Sequence, residues 1–138
     1  MAKRWIVALF CLGLCPAVLW PQEDAADQKR FAGTWQAKFN GSVFLTLHLE
    51  AGAKMSGTVS TGRITVDKDG ELTDAEASPE GKESDIMNAR PQADRLTFEI
   101  EDKGEVTRFE MRITAAGKAE LRFVGQPVKI KPILLNRA

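Results

Sequence analysis

The sequence predicts an all-β chain, a single antiparallel up-and-down (meander) barrel of about 8–10 short strands. Three observations point there. Apolar residues recur with a period of two along most of the chain, and a 3.6-residue period is nearly absent. Turn-forming residues interrupt these alternating runs at short intervals, as in Asp69-Gly70 and Lys103-Gly104. The connections are too short for parallel crossovers, so the strands run antiparallel, and sequential strands tend to be neighbours. Closure into a barrel removes the edges that an open sheet would have to protect.

The first element is a leader. Lys3 and Arg4 precede an uncharged apolar run from Trp5 to Leu19, the layout of a signal peptide. The run is too short for a comfortable spanning helix, which needs about 20 apolar residues. Cys15-Pro16-Ala17 places cleavage after Ala17, so residues 1–17 are the expected signal peptide. Asp24-Ala25-Ala26 is the alternative site, and retention as an uncleaved anchor is a further reading. Leu14 is large for the residue that precedes a lipid-modified cysteine, which argues against lipidation at Cys15. The leader predicts an exported chain, periplasmic or secreted. Residues 18–30 include the polar stretch QEDAADQKR and are expected to be a linker. Residues 31–138 then form one β-barrel domain, large enough to stand alone.

The strands follow in order. Trp35, Ala37 and Phe39 share one face of the first. Val43, Leu45, Leu47 and Leu49 form the cleanest inward row of the second, with Phe44, Thr46, His48 and Glu50 facing away. Met55, Gly57 and Val59 continue inward. Residues 63–67 and 72–77 are short strands, joined at Asp69-Gly70 by a primed two-residue turn in which both residues take positive φ. A loop through Pro79 leads to a short strand over 85–90. Leu96, Phe98 and Ile100 alternate next, then Thr107, Phe109, Met111 and Ile113 beyond a Lys103-Gly104 turn, then Ala119, Leu121 and Phe123. Residues 128–135 form the last strand. No helix of normal length is expected after the leader.

Composition narrows the function. The chain has 19 basic and 19 acidic residues, and without Lys3 and Arg4 the balance falls to −2. No basic cluster stands out, so nucleic acid is not an expected partner. No basic amphipathic helix is present either, so no membrane association is expected after signal cleavage. Both cysteines, Cys11 and Cys15, lie in the leader. The remaining chain therefore has no thiol to serve as nucleophile, disulfide partner or metal ligand.

The segment Phe31-Ala32-Gly33-Thr34-Trp35, followed by the alternating strand from Ser42 to Leu49 and by Ser56-Gly57-Thr58-Val59, resembles the opening of the calycin-type barrels. Lipocalins, fatty-acid-binding proteins and avidins begin this way, and the avidin-like order is the nearer in spacing. The chain is also similar to exported bacterial proteins that begin alike. The resemblance covers about thirty residues at the start of the barrel. It implies that Trp35, presented after Gly33, closes one end of the barrel and that a basic residue of the last strand packs over the indole. Arg137 is the first candidate for that partner, with Lys131 or Arg122 behind it. Indole and guanidinium attract one another whatever the family. Gly33, Trp35 and Arg137 are thus expected as structural barrel closure. Avidins line their site with several tryptophans and a tyrosine, whereas this chain has no tyrosine and, past the apolar leader, only Trp35, with Trp20 kept as well on early cleavage after Ala17. Biotin-type binding is not implied.

No catalytic, cofactor or metal site is expected. His48 is the only histidine and falls on the outward face of its strand. A serine nucleophile would have to share it as base. Asp67, Asp69 and Glu71 have the rhythm of calcium ligands around a turn, which an Asp-Gly hairpin explains without an ion. Glu99, Glu110 and Glu120 alternate outward among Arg108, Arg112 and Arg122, the pattern of a salt-laced wall. Two functions stay open. The first is a non-catalytic binding protein for a small hydrophobic ligand in the barrel interior, entered from the end away from Trp35. The second is a protein-interaction or inhibitor module with a packed interior, using its outer wall or the irregular stretches 79–83 and 85–91.

Overall fold

The computed structural model describes residues 25–77, 82–126 and 129–138. Residues 1–24, where the signal peptide and much of the polar linker are expected, lie outside the described residues, as do 78–81 and 127–128. The chain is an eight-stranded antiparallel closed barrel. Its strands are β1 (Gly33–Phe39), β2 (Ser42–Glu50), β3 (Ser56–Thr61), β6 (Ser84–Gln92), β7 (Arg95–Asp102), β8 (Glu105–Ala115), β9 (Lys118–Val124) and β10 (Ile133–Arg137). They neighbour one another in chain order, and β10 returns to pair with β1. Two further strands, β4 (Ile64–Val66) and β5 (Leu72–Ala75), pair among the described residues only with each other. The meander therefore holds eight strands, and the expected ninth and tenth form a hairpin set apart from its wall.

Turn chemistry builds the hairpins. Asn40 and Gly41 both take positive φ, 51° and 82°, between β1 and β2. Lys103 and Gly104 do the same, 52° and 83°, between β7 and β8. These are primed turns, whose twist matches that of the strands they join. The Asp69-Gly70 turn is different. Only Gly70 has positive φ, at 86°, and its N–H donates to Asp67 O at 3.0 Å. The Asp67 carboxylate accepts from the N–H groups of Asp69 and Glu71, at 2.9 and 3.0 Å. The carboxylate thus organises a longer loop in place of the two-residue turn, as Asx side chains do.

Alternation places the core. Leu45, Leu47 and Leu49 are buried, as are Leu96, Phe98, Phe109, Met111, Ala119, Leu121 and Leu135. The second strand departs from the expected row at its start. Ala37 pairs with Leu45 but Lys38 pairs with Val43, so Phe44 has no partner across the ladder. This β-bulge resets the alternation by one. Phe44 is buried and Val43 is only half-buried, the reverse of the expectation. The last strand also starts later than expected, at Ile133. Pro132 precedes it and brings no N–H to a ladder.

The chain entering the barrel is helical where a linker is expected. Residues Ala25–Phe31 form α1. Seven residues do not sustain a helix in water by propensity. Here Phe31 has no exposed surface and Gln28 is 2% exposed. The Gln28 side-chain oxygen accepts from Gly52 N–H at 2.9 Å, which ties α1 to the β2–β3 connection.

Leu121 and Leu134 are a matched pair for testing this layout, the first fully buried and the second 67% exposed. Leu121→Ala should cost about 2–5 kcal/mol of stability. Leu134→Ala should stay within about 0.5 kcal/mol. Urea denaturation of both variants checks the assignment of faces.

Candidate functional site

Three places on the barrel gather chemistry: its base, its outer wall and its mouth. At the base, the structure brings together the three residues expected there. Trp35 is fully buried, and its indole N–H donates to Phe31 O at 2.8 Å. The Arg137 guanidinium lies over the indole at 4.3 Å from the ring centroid. Its Nη1 and Nη2 donate to Ala32 O at 2.6 Å and to Arg30 O at 2.7 Å. These are the orphan carbonyls at the end of α1, where a cation also meets the negative end of the helix dipole. Gly33 has φ of 126°, and a Cβ there would stand 2.9 Å from Arg137 Nη1. Arg122 and Lys131 are engaged elsewhere, with Glu120 and Glu71. Capping of α1 by Arg137 is a function that sequence reasoning missed, because the helix itself was not expected.

On the outer wall, charges of opposite sign oppose one another across β7, β8 and β9. Glu99 faces Arg108, Glu110 faces Arg122 and Arg112 faces Glu120. Arg108 Nε donates to Glu99 Oε2 at 2.7 Å, and Arg95 stands 3.5 Å from Glu110. A bulge in β6 sets two residues, Asn88 and Ala89, against Phe98. Asn88 takes φ of 53° there, and its amide donates to Glu99 Oε1 at 2.6 Å. Hydrogen bonding by Asn88, then by Arg108, holds the Glu99 carboxyl below the usual glutamate range. A groove of about 460 Å³ runs beside these groups and reaches Val124.

The mouth is the end opposite Trp35. The β4–β5 hairpin packs Ile64, Leu72 and Ala75 against the core there. Lys131 N–H donates to Gly70 O at 2.9 Å, and Lys131 Nζ to Glu71 Oε1 at 2.6 Å. That contact raises the Lys131 ammonium above the ordinary lysine range. Between hairpin and barrel lies a crevice of about 470 Å³. Phe39, Phe44, Leu72, Ile130, Ile133 and Leu134 supply its apolar lining, and Lys38, Glu71, Glu120 and Lys131 its charged groups.

The remaining candidates are accounted for locally. His48 is exposed, and its Nδ1 lies 2.9 Å from Thr34 Oγ1. Asp67 organises its turn and Glu71 pairs with Lys131. Among the described residues, no group of three or more His, Cys, Asp or Glu side chains converges. No family model, curated protein or solved structure matches the chain.

Arg137→Gln removes a charged donor from two carbonyls and a cation from the indole. It should lower stability by about 1–3 kcal/mol, read from thermal unfolding. Gly33→Ala forces a side chain into the positive-φ region against the guanidinium, and should cost about 1–3 kcal/mol in the same assay. Glu99 ionises more readily folded than unfolded, so its contribution is present above the ordinary glutamate pKa and is lost as pH falls through the lowered value. Glu99→Gln should therefore be less stable than wild type near neutrality, the two converging as pH falls through the lowered value. Urea midpoints across that range measure the convergence.

Proposed function

We propose that the chain is an exported, non-catalytic binding protein of calycin-like build that takes a small apolar molecule in the mouth crevice, beneath the β4–β5 hairpin. The carrying observation is a pairing of opposites. Trp35, Leu47, Leu96, Met111 and Leu121 have no accessible surface inside the barrel. The mouth crevice, at about 470 Å³ and lined largely by aliphatic and aromatic side chains, falls in the size range of small-molecule sites. An eight-stranded barrel is just wide enough for its own side chains to fill. Ligand is therefore assigned to the mouth in preference to the interior.

A binding role without catalysis agrees with the ionisable groups. Glu99 and Lys131 have displaced pKa values, and each is engaged in an ion pair. His48 is hydrogen-bonded to a threonine on the outer face. Export agrees with Lys3 and Arg4 preceding the apolar run from Trp5 to Leu19.

A second reading, an interaction module, is favoured by one observation. The outer-wall groove beside Asn88 and Arg108 includes Val124, which is 41% exposed. Native mass spectrometry of protein from its own source separates the readings. A bound small molecule supports the first; a bound second chain that Val124→Glu releases supports the second.

Titration with the apolar dye 1-anilinonaphthalene-8-sulfonate tests the mouth directly. Binding should saturate, and Ile130→Glu, which buries a charge in the crevice, should weaken it about tenfold or more. Saturable binding untouched by Ile130→Glu would place the dye elsewhere and remove the mouth from the proposal.

A further inference from the structure

We propose that the β4–β5 hairpin is a cover over the mouth crevice, latched through Glu71 and Lys131, and that ligand enters by its opening as a unit; this rests on the binding role argued above. The barrel wall is complete without the hairpin. β3 pairs directly with β6, and among the described residues β4 and β5 form ladder pairs only with one another. The hairpin can therefore swing away without breaking one ladder of the wall.

What holds it down is local. At its root, Gly62 N–H on Phe44 O at 2.8 Å continues the β2–β3 ladder by one pair and anchors the first arm, while Glu76 N–H on Arg63 O at 2.8 Å joins the two arms to each other and not to the wall. At its tip, the segment leading into β10 supplies the latch, through Lys131 N–H on Gly70 O and the Lys131–Glu71 ion pair. The tip sits close against that segment. A Cβ on Gly70 would stand 2.6 Å from Lys129 O. Both members of the ion pair are half exposed, Lys131 at 50% and Glu71 at 59%, so water screens their attraction. Beneath them, Ile64, Leu72 and Ala75 are only partly buried, whereas Leu96, Met111 and Leu121 in the wall are fully so. Few fully buried apolar contacts and exposed polar links mark a segment that opens below the global unfolding free energy. Opening would bare Phe44 and Ile133, which are 2% and 7% exposed when the cover is down. These are residues of the crevice lining.

Hydrogen–deuterium exchange on the full chain tests the cover without any ligand. Amides of Ile64–Val66 and Leu72–Ala75 should exchange together, faster than those of β7 and β8. Glu71→Gln should speed the hairpin roughly two- to fivefold and leave β7 and β8 unchanged. Hairpin amides that exchange only with the slowest barrel amides, or a Glu71→Gln effect spread equally over the barrel, would overturn the cover. Stopped-flow mixing with 1-anilinonaphthalene-8-sulfonate reads the entry route. Association should be faster in Glu71→Gln; an unchanged rate alongside faster hairpin exchange would overturn entry by opening. If the dye fails to bind wild type, the binding role falls and the entry route with it, while exchange still decides whether the hairpin opens as a unit.

Discussion

The barrel depends on how its two ends meet. Seven of its strand contacts join segments that the meander already brings side by side, whereas β1 and β10 come from opposite ends of the described chain. Their ladder is short, with Trp35 opposite Arg137 and Gln36 opposite Asn136. The Arg137 side chain extends that seam beyond its hydrogen-bonded pairs. One guanidinium covers the indole of the first strand and takes two carbonyls at the end of α1. Arg137 N–H also donates to Gly117 O, and Ala138 N–H to Thr34 O, each at 2.9 Å. The base is thus a meeting point for the helix, the first strand, the last strand and the β8–β9 turn. Gly33 is the residue that lets the guanidinium come so close.

The Trp35–Arg137 contact at the base and the fully buried side chains inside the barrel shape where function can sit. Across three neighbouring strands, Phe98 stacks on Phe109 with ring centroids 5.3 Å apart, and Phe123 meets Phe109 at a tilt of 55° with centroids 4.9 Å apart. Such contacts add to the burial of large side chains, each of which contributes about 1.5–3 kcal/mol. The surfaces that remain adaptable are the ones the core does not dictate: the bulged outer wall around Asn88, and the mouth under its separate hairpin. The mouth is the more apolar of the two, and its cover is tied by the more exposed contacts.

Much of the fold was legible as strand alternation. The inward rows Leu96–Phe98, Phe109–Met111 and Ala119–Leu121 read correctly because each strand is regular and one face is buried. That Arg137 lies over Trp35 and beside Gly33 was legible through the resemblance of the opening to calycin-type barrels and the attraction of indole for guanidinium. The departures share a cause. A bulge at Phe44 or Asn88 is set by the strand opposite, which alternation within one strand does not encode. The same holds for the β4–β5 hairpin, whose alternation looks like that of a wall strand. Helix α1 is too short to announce itself, and its support comes from the distant residues Gly52 and Arg137. The mouth crevice was foreseen only as an end of the barrel. Its lining comes from β1, β2, the β4–β5 loop, β5, β9, and β10 with the segment before it, which no local pattern links.

The seam between the chain ends is measured most directly by NMR. Backbone nuclear Overhauser contacts between Gln36 and Asn136, contacts from the Trp35 ring to the Arg137 side chain, and a Trp35 indole proton that exchanges slowly are the predicted result. Their absence, with the Trp35 indole exchanging as fast as a solvent-exposed one, would mean an open sheet and would contradict the closure on which the filled interior and the covered mouth both rest.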